Sequence, residues 1–428
     1  MQENRVVVTG LGVCAPNGIS VPEFQNALEN GISGIEHIQL LESLNFSCQI
    51  AGRPNIEGVN LNKYFSSVEL KNLEASGLVY GVVSGIDAWQ DAGLKLESRE
   101  QPDWETGVIF GTGISGVQRF RNAIYDVDEG NVRRLGSGTV MQTMASGISA
   151  FLGGKLAAGN QVTTNSSACT TGAEAILMGV DRIRSGKAKR MLVGSCSDSG
   201  PYIWGGFDAM RILPRKFNTT PTLASRPMSA SAAGFVPGSG AGALVLESLE
   251  SALARNARIY GEIKGGHINS GGQQNGGSMT APNSRAVQRC IQEACKASGI
   301  HPTEIDAING HLTATTKDPV EVQNWSEALE RSGKDFPFVN SFKGVVGHCL
   351  AASGSIEAVG TVLQLVNKKI YRNVNCEDLH PEIEAIVDKS KIPQETIPFS
   401  GKIIAKASFG FGDVNACIIF KTYSEKEN

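Results

Sequence analysis

Short apolar runs at three points along the chain predict buried β-strands. Residues 5–9 (RVVVT), 107–110 (GVIF) and 190–193 (RMLV) are rich in β-branched and other apolar side chains. Between such runs, residues 171–184 carry apolar side chains at helical spacing, and Gly186 lies just past their end. Strands that alternate with helices predict a mostly parallel sheet covered by helices on both faces.

The same pattern occurs twice along the chain. The first half opens on RVVVTGLGV and closes on the turn GSGAG (238–242) before the strand-like ALVLE. The second half opens on ARIYGEIKGG, from residue 257, and closes on FGFGD (409–413) before VNACIIF. We therefore predict two related α/β halves, residues 1–255 and 256–428. No low-complexity linker separates them, so we expect one continuous core.

Composition narrows the class of protein. Of the 428 residues, 41% are hydrophobic and 19% are charged, which is typical of a globular chain that can fill a large core. The formal net charge of −3 and the lack of a basic cluster predict no nucleic-acid binding. We also expect no secretory signal and no membrane span, because no run of about 18 uncharged apolar residues occurs.

Nine cysteines occur singly, and their spacing argues against two kinds of site. The odd count and the absence of a CxxC pair disfavour both a disulfide framework and a zinc site. We therefore expect no metal among the functional residues. We also expect a reducing cytoplasm, in which most of these cysteines are small buried hydrophobic residues.

Cys169 differs from the other cysteines in its setting. It lies in NSSACTTGAEAILMG, where a run of small residues leads directly into a predicted helix. Free N–H groups and the positive end of the helix dipole at such a position favour thiolate over thiol. A nucleophile and a buried structural cysteine both stay open on this motif alone.

Two of the six histidines lie at predicted strand-to-helix turns. His311 follows the apolar residues 305–308 in INGHLTATTKDPVE, and His348 precedes a predicted helix in FKGVVGHCLAASG. In an open α/β sheet these turns gather at the carboxyl edge of the strands, where ligands bind. For either histidine alone, a structural role is the simpler interpretation.

Taken together, these segments resemble the β-ketoacyl synthases. SACTTG around Cys169, GHLTAT around His311 and FKGVVGHCLAASG around His348 are similar to the catalytic signatures of that family. VTGLGVCAPNG, GTGISG, GGFDAMR and FGFGDVNA resemble further family segments in the same order. The resemblance implies a thiolase-like, duplicated five-layered α/β/α/β/α fold. It also implies a cytoplasmic, usually homodimeric acyltransferase, a 3-oxoacyl-acyl carrier protein synthase.

The implied reaction is a decarboxylating Claisen condensation, with acyl carrier protein as the partner. An acyl group moves to Cys169, malonyl-acyl carrier protein loses CO₂, and the resulting carbanion attacks the acyl-cysteine. By resemblance, His311 and His348 assist decarboxylation and Lys343 sets the local field. The N–H groups of Cys169 and Phe411 would form the oxyanion hole, and the Phe411 ring would act as a gate.

Other family positions fall on more ordinary residues. Thr313 and Thr315 match the threonines that hydrogen-bond the pantetheine arm. Ile114 and Phe207 match positions that line the acyl pocket. Glu357 matches a glutamate that supports the site, with a structural monovalent cation left open. The resemblance implies no further cofactor, because phosphopantetheine arrives on the carrier protein.

The sequence departs from the family pattern at several positions. Leu312 stands where glycine is usual and is expected to add bulk beside the site. Asp413 is expected to add charge near the gating loop. Four small residues replace acidic and basic ones: Ser229, Ala232, Ala233 and Ser239. We infer a specialised ketosynthase of a fatty-acid, polyene or polyketide pathway, without full activity on long saturated chains.

Four alternatives stay open. One is a housekeeping fatty-acid elongation synthase. A second is a non-catalytic partner subunit of the chain-length-factor type, although such subunits lack the nucleophile. A third is a thiolase, but the second cysteine that thiolases use has no match in Cys417 of ACIIF. The fourth, a cysteine hydrolase, lacks a feature that would deliver water. Acyl chain length, carrier preference and homodimer versus heterodimer are not readable from the sequence.

Overall fold

The structure is a computed structural model that describes residues 4–96 and 100–424. Its strands are β1 (Val6–Cys14), β2 (Ile35–His37), β3 (Ile50–Gly52), β4 (Thr106–Thr112), β5 (Val162–Thr163), β6 (Arg190–Ser197), β7 (Gly240–Ser248), β8 (Gly261–Ser270), β9 (Ala307–Asn309), β10 (Phe338–Asn340), β11 (Lys369–Ile370), β12 (Ile397–Pro398), β13 (Ile403–Gly410) and β14 (Val414–Lys421). Its helices are α1 (Val21–Asn30), α2 (Gln39–Ser43), α3 (Ser67–Leu70), α4 (Ser76–Asp91), α5 (Val117–Asp128), α6 (Gly138–Thr143), α7 (Gly147–Lys155), α8 (Thr171–Arg184), α9 (Pro201–Ala209), α10 (Leu249–Ala254), α11 (Ser284–Ala297), α12 (Asp318–Leu329), α13 (Lys343–Val346), α14 (Ser353–Asn367) and α15 (Pro381–Glu384).

The main sheet is built from two five-stranded units with the same topology. Its ten strands lie in the order β10-β9-β13-β14-β8-β1-β7-β6-β4-β5. Counted outward from the centre, each unit has two antiparallel neighbour pairs followed by two parallel pairs. The units join where β1 pairs with β8 over three residues. The boundary predicted at residue 255 falls between α10 and β8 and stays a prediction.

The expectation of a mostly parallel sheet is wrong. Five of the nine neighbouring strand pairs are antiparallel, and four are parallel. The reason is that the last strand of each unit inserts antiparallel between the first strand and the parallel ones. Helical crossovers alone would have kept the strands parallel.

Helices form three layers around and between the two sheet units. α4 and α7 cover the N-terminal unit, and α11, with α12 packed on it, covers the C-terminal unit. α8 and α14 lie between the units and contact strands of both. These are the five alternating layers that the family resemblance implied. All nine residues of β1 are buried because both faces of the sheet are covered. Among the described residues, no helix combines the length and apolarity that crossing a bilayer requires.

Candidate active site

Cys169 lies in a 3₁₀ turn, Ala168–Thr170, that runs directly into α8. Ala168 has a φ of +49°, in the left-handed region, and backbone strain of this kind is concentrated at functional sites. Cys169 is partly exposed and lines a cavity, whereas the other eight cysteines are buried. The structure therefore places this thiol at a helix N-terminus, as predicted, where a substrate can reach it.

The pKa of the Cys169 thiol is raised above its usual value of 9.0, chiefly because the sulfur is removed from water. The backbone N–H groups of Phe411 and Cys169 face the sulfur and lower the pKa, as does the nearby Lys343 ammonium. The expected preference for thiolate does not prevail in the free protein, because desolvation outweighs these groups. The same two N–H groups are placed to receive an oxyanion on a carbonyl bonded to the sulfur.

His348 is held in one tautomer by the turn that follows it. Its Nδ1 accepts the backbone N–H of Leu350 at 3.1 Å and lies 3.0 Å from the Ser353 hydroxyl. A neutral imidazole that accepts at Nδ1 carries its proton on Nε2. Burial and the ammoniums of Lys343 and Lys406 hold the pKa of His348 well below 6.5. The ring is therefore a neutral N–H donor at physiological pH.

His311 faces His348 from the turn after β9. The two ring centroids are 5.4 Å apart and the rings are nearly perpendicular, at 84°. Burial first, then Lys343 and His348, hold the pKa of His311 well below 6.5. One nitrogen of each ring and the Cys169 sulfur all lie within 4.8 Å of one another. The structure thus brings together the three residues that the sequence singled out.

Two glycines bring the N-termini of the central helices into contact. A Cβ on Gly172 of α8 would lie 2.4 Å from the backbone nitrogen of Ser355, and a Cβ on Gly354 of α14 would lie 2.6 Å from a backbone nitrogen of α8. Only residues without a side chain allow this approach. Because Cys169 immediately precedes α8 and His348 lies just before α14, the contact sets the nucleophile beside the histidines.

A buried ionic cluster lies behind the histidines. The Lys343 ammonium pairs with Oε1 of Glu357, and the ammonium of Lys406 lies 2.8 Å from its Oε2. All three side chains are almost completely buried. Lys343 and Glu357 were predicted, whereas Lys406 was missed. Its signal in the sequence is a single lysine inside the apolar run of β13, since a lysine on a fully covered strand requires a partner.

Two carboxylates on α12, also missed, hold the turn that carries His311. Glu321 accepts the backbone N–H of His311 at 2.6 Å, and burial raises its pKa to about 7. Asp318 accepts the N–H of Thr313 at 2.9 Å and that of Thr315 at 3.4 Å, and burial raises its pKa. The segment DPVE after the threonines was the available signal, because Asp-Pro marks a helix start whose carboxylates face the preceding turn.

The cavity above Cys169 has a volume of about 550 Å³. Its lining includes both predicted pocket residues, Ile114 and Phe207, and both predicted threonines, whose hydroxyl oxygens are 3.1 Å apart. Several aromatic rings lie in the lining. The ring centroid of Phe207 is 5.5 Å from that of Phe235 and 6.2 Å from that of Phe411. A cavity of this size and apolar character can hold an acyl chain.

The residues that depart from the family pattern do not line this cavity. Leu312 does not line it, because its buried side chain packs into the core of the C-terminal half. The buried Asp413 carboxylate accepts the N–H groups of Gln273 at 3.0 Å and Asn283 at 2.8 Å. Leu312 therefore adds its bulk to the core next to His311 and not to the cavity. Asp413 is also absent from the lining, but it lies two residues after Phe411, near the expected gate as predicted. Four further substitutions are also absent from the described lining: Ser229, Ala232, Ala233 and Ser239.

Comparison with known proteins gives a consistent result over the whole chain. The family model "Beta-ketoacyl synthase, N-terminal domain" matches residues 3–252, and the model for the C-terminal domain of the same family matches residues 260–377. The 3-oxoacyl-[acyl-carrier-protein] synthase 2 of Vibrio harveyi is 32% identical, covering 99% of this chain and 100% of that protein.

Solved structures show the same similarity. The ishigamide ketosynthase/chain length factor superposes with a TM-score of 0.87 and 25% identity, over 99% of this chain and 100% of its own. A type II PKS ketosynthase bound to the hexaketide and in complex with its acyl-carrier protein, AntDE:AntF, superposes with a TM-score of 0.86 and 27% identity, with the same coverage. The thiolase-like fold is confirmed, and the chain belongs to the β-ketoacyl synthase family of condensing acyltransferases.

Proposed function

We propose that this chain condenses an acyl group carried on Cys169 with malonyl-acyl carrier protein, releasing CO₂. The observation that carries the proposal is the trio of Cys169, His311 and His348, whose reactive atoms lie within 4.8 Å of one another. The trio opens onto a cavity of about 550 Å³, so an acyl chain and its reacting carbonyl fit in one place.

The first half-reaction is acyl transfer. The Cys169 thiol loses its proton, the sulfur attacks the carrier thioester carbonyl, and the carrier thiolate leaves and takes up that proton. Negative charge on the carbonyl oxygen is received by the N–H groups of Cys169 and Phe411, which already face the sulfur. One such donor is typically worth about 3–4 kcal/mol in the transition state.

The second half-reaction is decarboxylation and condensation. The bond from the malonyl carboxylate to the methylene carbon breaks, CO₂ leaves, and the electron pair forms an enolate on the thioester oxygen. Neutral His311 and His348 donate hydrogen bonds to that oxygen without adding full positive charge. The enolate carbon then attacks the acyl carbonyl, the C–S bond breaks, and Cys169 leaves as a thiolate that takes up a proton to regenerate the thiol.

We place the enzyme in a specialised fatty-acid, polyene or polyketide pathway. The lining supports this choice, because Phe207, Phe235 and Phe411 offer ring faces and edges against which a planar unsaturated chain packs. A second candidate is general fatty-acid elongation, which the similarity to the Vibrio harveyi synthase favours.

The proposed partners are an acyl carrier protein and a second ketosynthase-like subunit. Thr313 and Thr315 line the cavity, which supports the proposal that they bind the pantetheine arm of the carrier protein. The apolar side chains of Phe120, Ile124 and Tyr125 on α5 are each about half exposed, which is typical of an interface. We place the second subunit on this face.

We also propose that the protein works in a reducing cytoplasm, because all nine of its cysteines are free.

The test is intact-protein mass spectrometry followed by product analysis. Purified protein is incubated with a long saturated acyl-carrier protein and, separately, a conjugated dienoyl-carrier protein, and malonyl-carrier protein is then added. We expect an acyl adduct that Cys169→Ala abolishes, and a β-ketoacyl product only when malonyl-carrier protein is present.

Failure to form an adduct would favour a non-catalytic partner subunit, and release of free acid would favour a hydrolase. Condensation with an acetyl donor in place of malonyl-carrier protein would favour a thiolase. Full activity on long saturated chains would favour general elongation.

A further inference from the structure

The Lys406 ammonium contacts three oxygen atoms. It lies 2.8 Å from Oε2 of Glu357 and donates hydrogen bonds to the carbonyl oxygen of Ala407 and the hydroxyl of Ser408, each at 2.6 Å. The side chain is completely buried. A carboxylate, a carbonyl and a hydroxyl oxygen around one positive charge form the donor set of a monovalent metal ion, here filled by a lysine.

The residues around Glu357 do not fit a separate cation. Its Oε1 already pairs with Lys343 and its Oε2 with Lys406. A metal ion bound to this carboxylate would lie close to two like charges in a region shielded from water, where repulsion is weakly screened. The monovalent cation that the family resemblance left open is therefore not accommodated by this donor set.

We infer that the Lys406 ammonium takes the place of a structural monovalent cation, so that this enzyme folds and works without bound Na⁺ or K⁺. The ammonium joins two catalytic elements. Lys406 lies on β13, which leads to the Phe411 gate, and Glu357 lies on α14, which begins beside His348. Lys406 is thus a positioning residue, and its charge also helps to hold both histidines neutral.

The first experiment measures thermal unfolding of the wild-type chain and of Lys406→Ser, which removes the ammonium and opens room for an ion. Each is melted in KCl, NaCl and N-methylglucamine chloride at equal ionic strength. We expect the wild-type Tm to be the same in all three salts. For Lys406→Ser we expect a Tm lower by about 3–6 °C in N-methylglucamine chloride, which rises with increasing KCl or NaCl because an ion bound only to the folded state stabilises it. Lys402→Ser, an exposed lysine near the start of the same strand, is the matched control.

The second experiment uses the wild-type chain alone, so it decides the question even if the variant does not fold. Crystals are soaked in RbCl and examined for anomalous scattering at Glu357. We expect no rubidium there. A rubidium ion at Glu357 of the wild type, or a wild-type Tm that depends on K⁺ or Na⁺ at equal ionic strength, would overturn the inference. Neither readout involves condensation, so failure of the proposed function would be recognised separately.

Discussion

Replacement of Glu357 by glutamine removes the carboxylate that two buried ammoniums contact, at almost unchanged side-chain volume. Lys343 and Lys406 would then lie in the interior with no carboxylate between them, and all three side chains are almost completely buried. Removal of one partner from a buried ion pair typically costs about 3–5 kcal/mol, because the remaining charge is left without compensation. We expect the loss of unfolding free energy caused by Glu357→Gln to lie in that range.

The expected change in melting temperature follows from the length of the chain. A chain of 428 residues has an unfolding entropy of about 0.9 kcal/mol/K, so this loss lowers Tm by about 3–6 °C. Calorimetry of purified protein measures the shift. The matched control is Glu57→Gln, which changes an exposed glutamate in the same way and should leave Tm within about 1 °C.

A double variant tests whether the effect arises from charge. Lys406→Met removes one of the two ammoniums, so Glu357→Gln combined with Lys406→Met leaves only Lys343 uncompensated. We expect the double variant to be more stable than the sum of the single effects predicts, by about 1–3 kcal/mol. Strict additivity, or a Glu357→Gln shift no larger than that of the exposed control, would refute the reasoning.

Three further predictions concern the surroundings of the site. A Cβ at Gly410 would lie 3.1 Å from the backbone nitrogen of Cys169. Gly410→Ala should therefore slow acylation by about 10²-fold, measured by rapid mixing. The control Gly154→Ala should not slow acylation, because a Cβ at Gly154 meets no atom within 4 Å. Asp413→Ala removes the acceptor for the amides of Gln273 and Asn283, and both amides should exchange hydrogen faster by mass spectrometry; unchanged exchange would contradict the role. The raised pKa of Glu321, about 7 instead of 4.5, means that the folded state binds more protons between these values, so stability should fall as pH rises through this window, by at most about 3 kcal/mol. Calorimetry from about pH 5 to about pH 8 should find a flatter profile for Glu321→Gln.

The placement of the reactive trio could be predicted because each member lies at a junction between elements. Cys169 and His348 precede helices that the apolar spacing revealed, and His311 follows a short apolar strand. Junctions of this kind gather at one edge of the sheet whatever the details of packing. Local pattern therefore placed these residues at turns, and the resemblance to a known family was needed to identify them as the reactive trio.

The direction of individual side chains could not be predicted in the same way. Leu312 follows His311 directly, yet its side chain packs in the core. Asp413 lies two residues after Phe411, yet its carboxylate accepts the N–H groups of Gln273 and Asn283. Lys406 was missed because its role depends on Glu357, far away in sequence and brought near by the packing of α14 on β13. Long-range contacts of this kind leave little trace in local pattern.

The contact between Gly172 and Gly354 also bears on how the enzyme is made. Cys169 is synthesised well before His311, His348 and Phe411, and domains form from the N-terminus during translation. Until α14 and then Phe411 have emerged from the ribosome, α8 has no partner helix at this contact and the Cys169 sulfur lacks the Phe411 N–H group that faces it. We therefore expect an unfinished chain to carry the thiol without the histidines and the Phe411 N–H group that surround it in the complete protein.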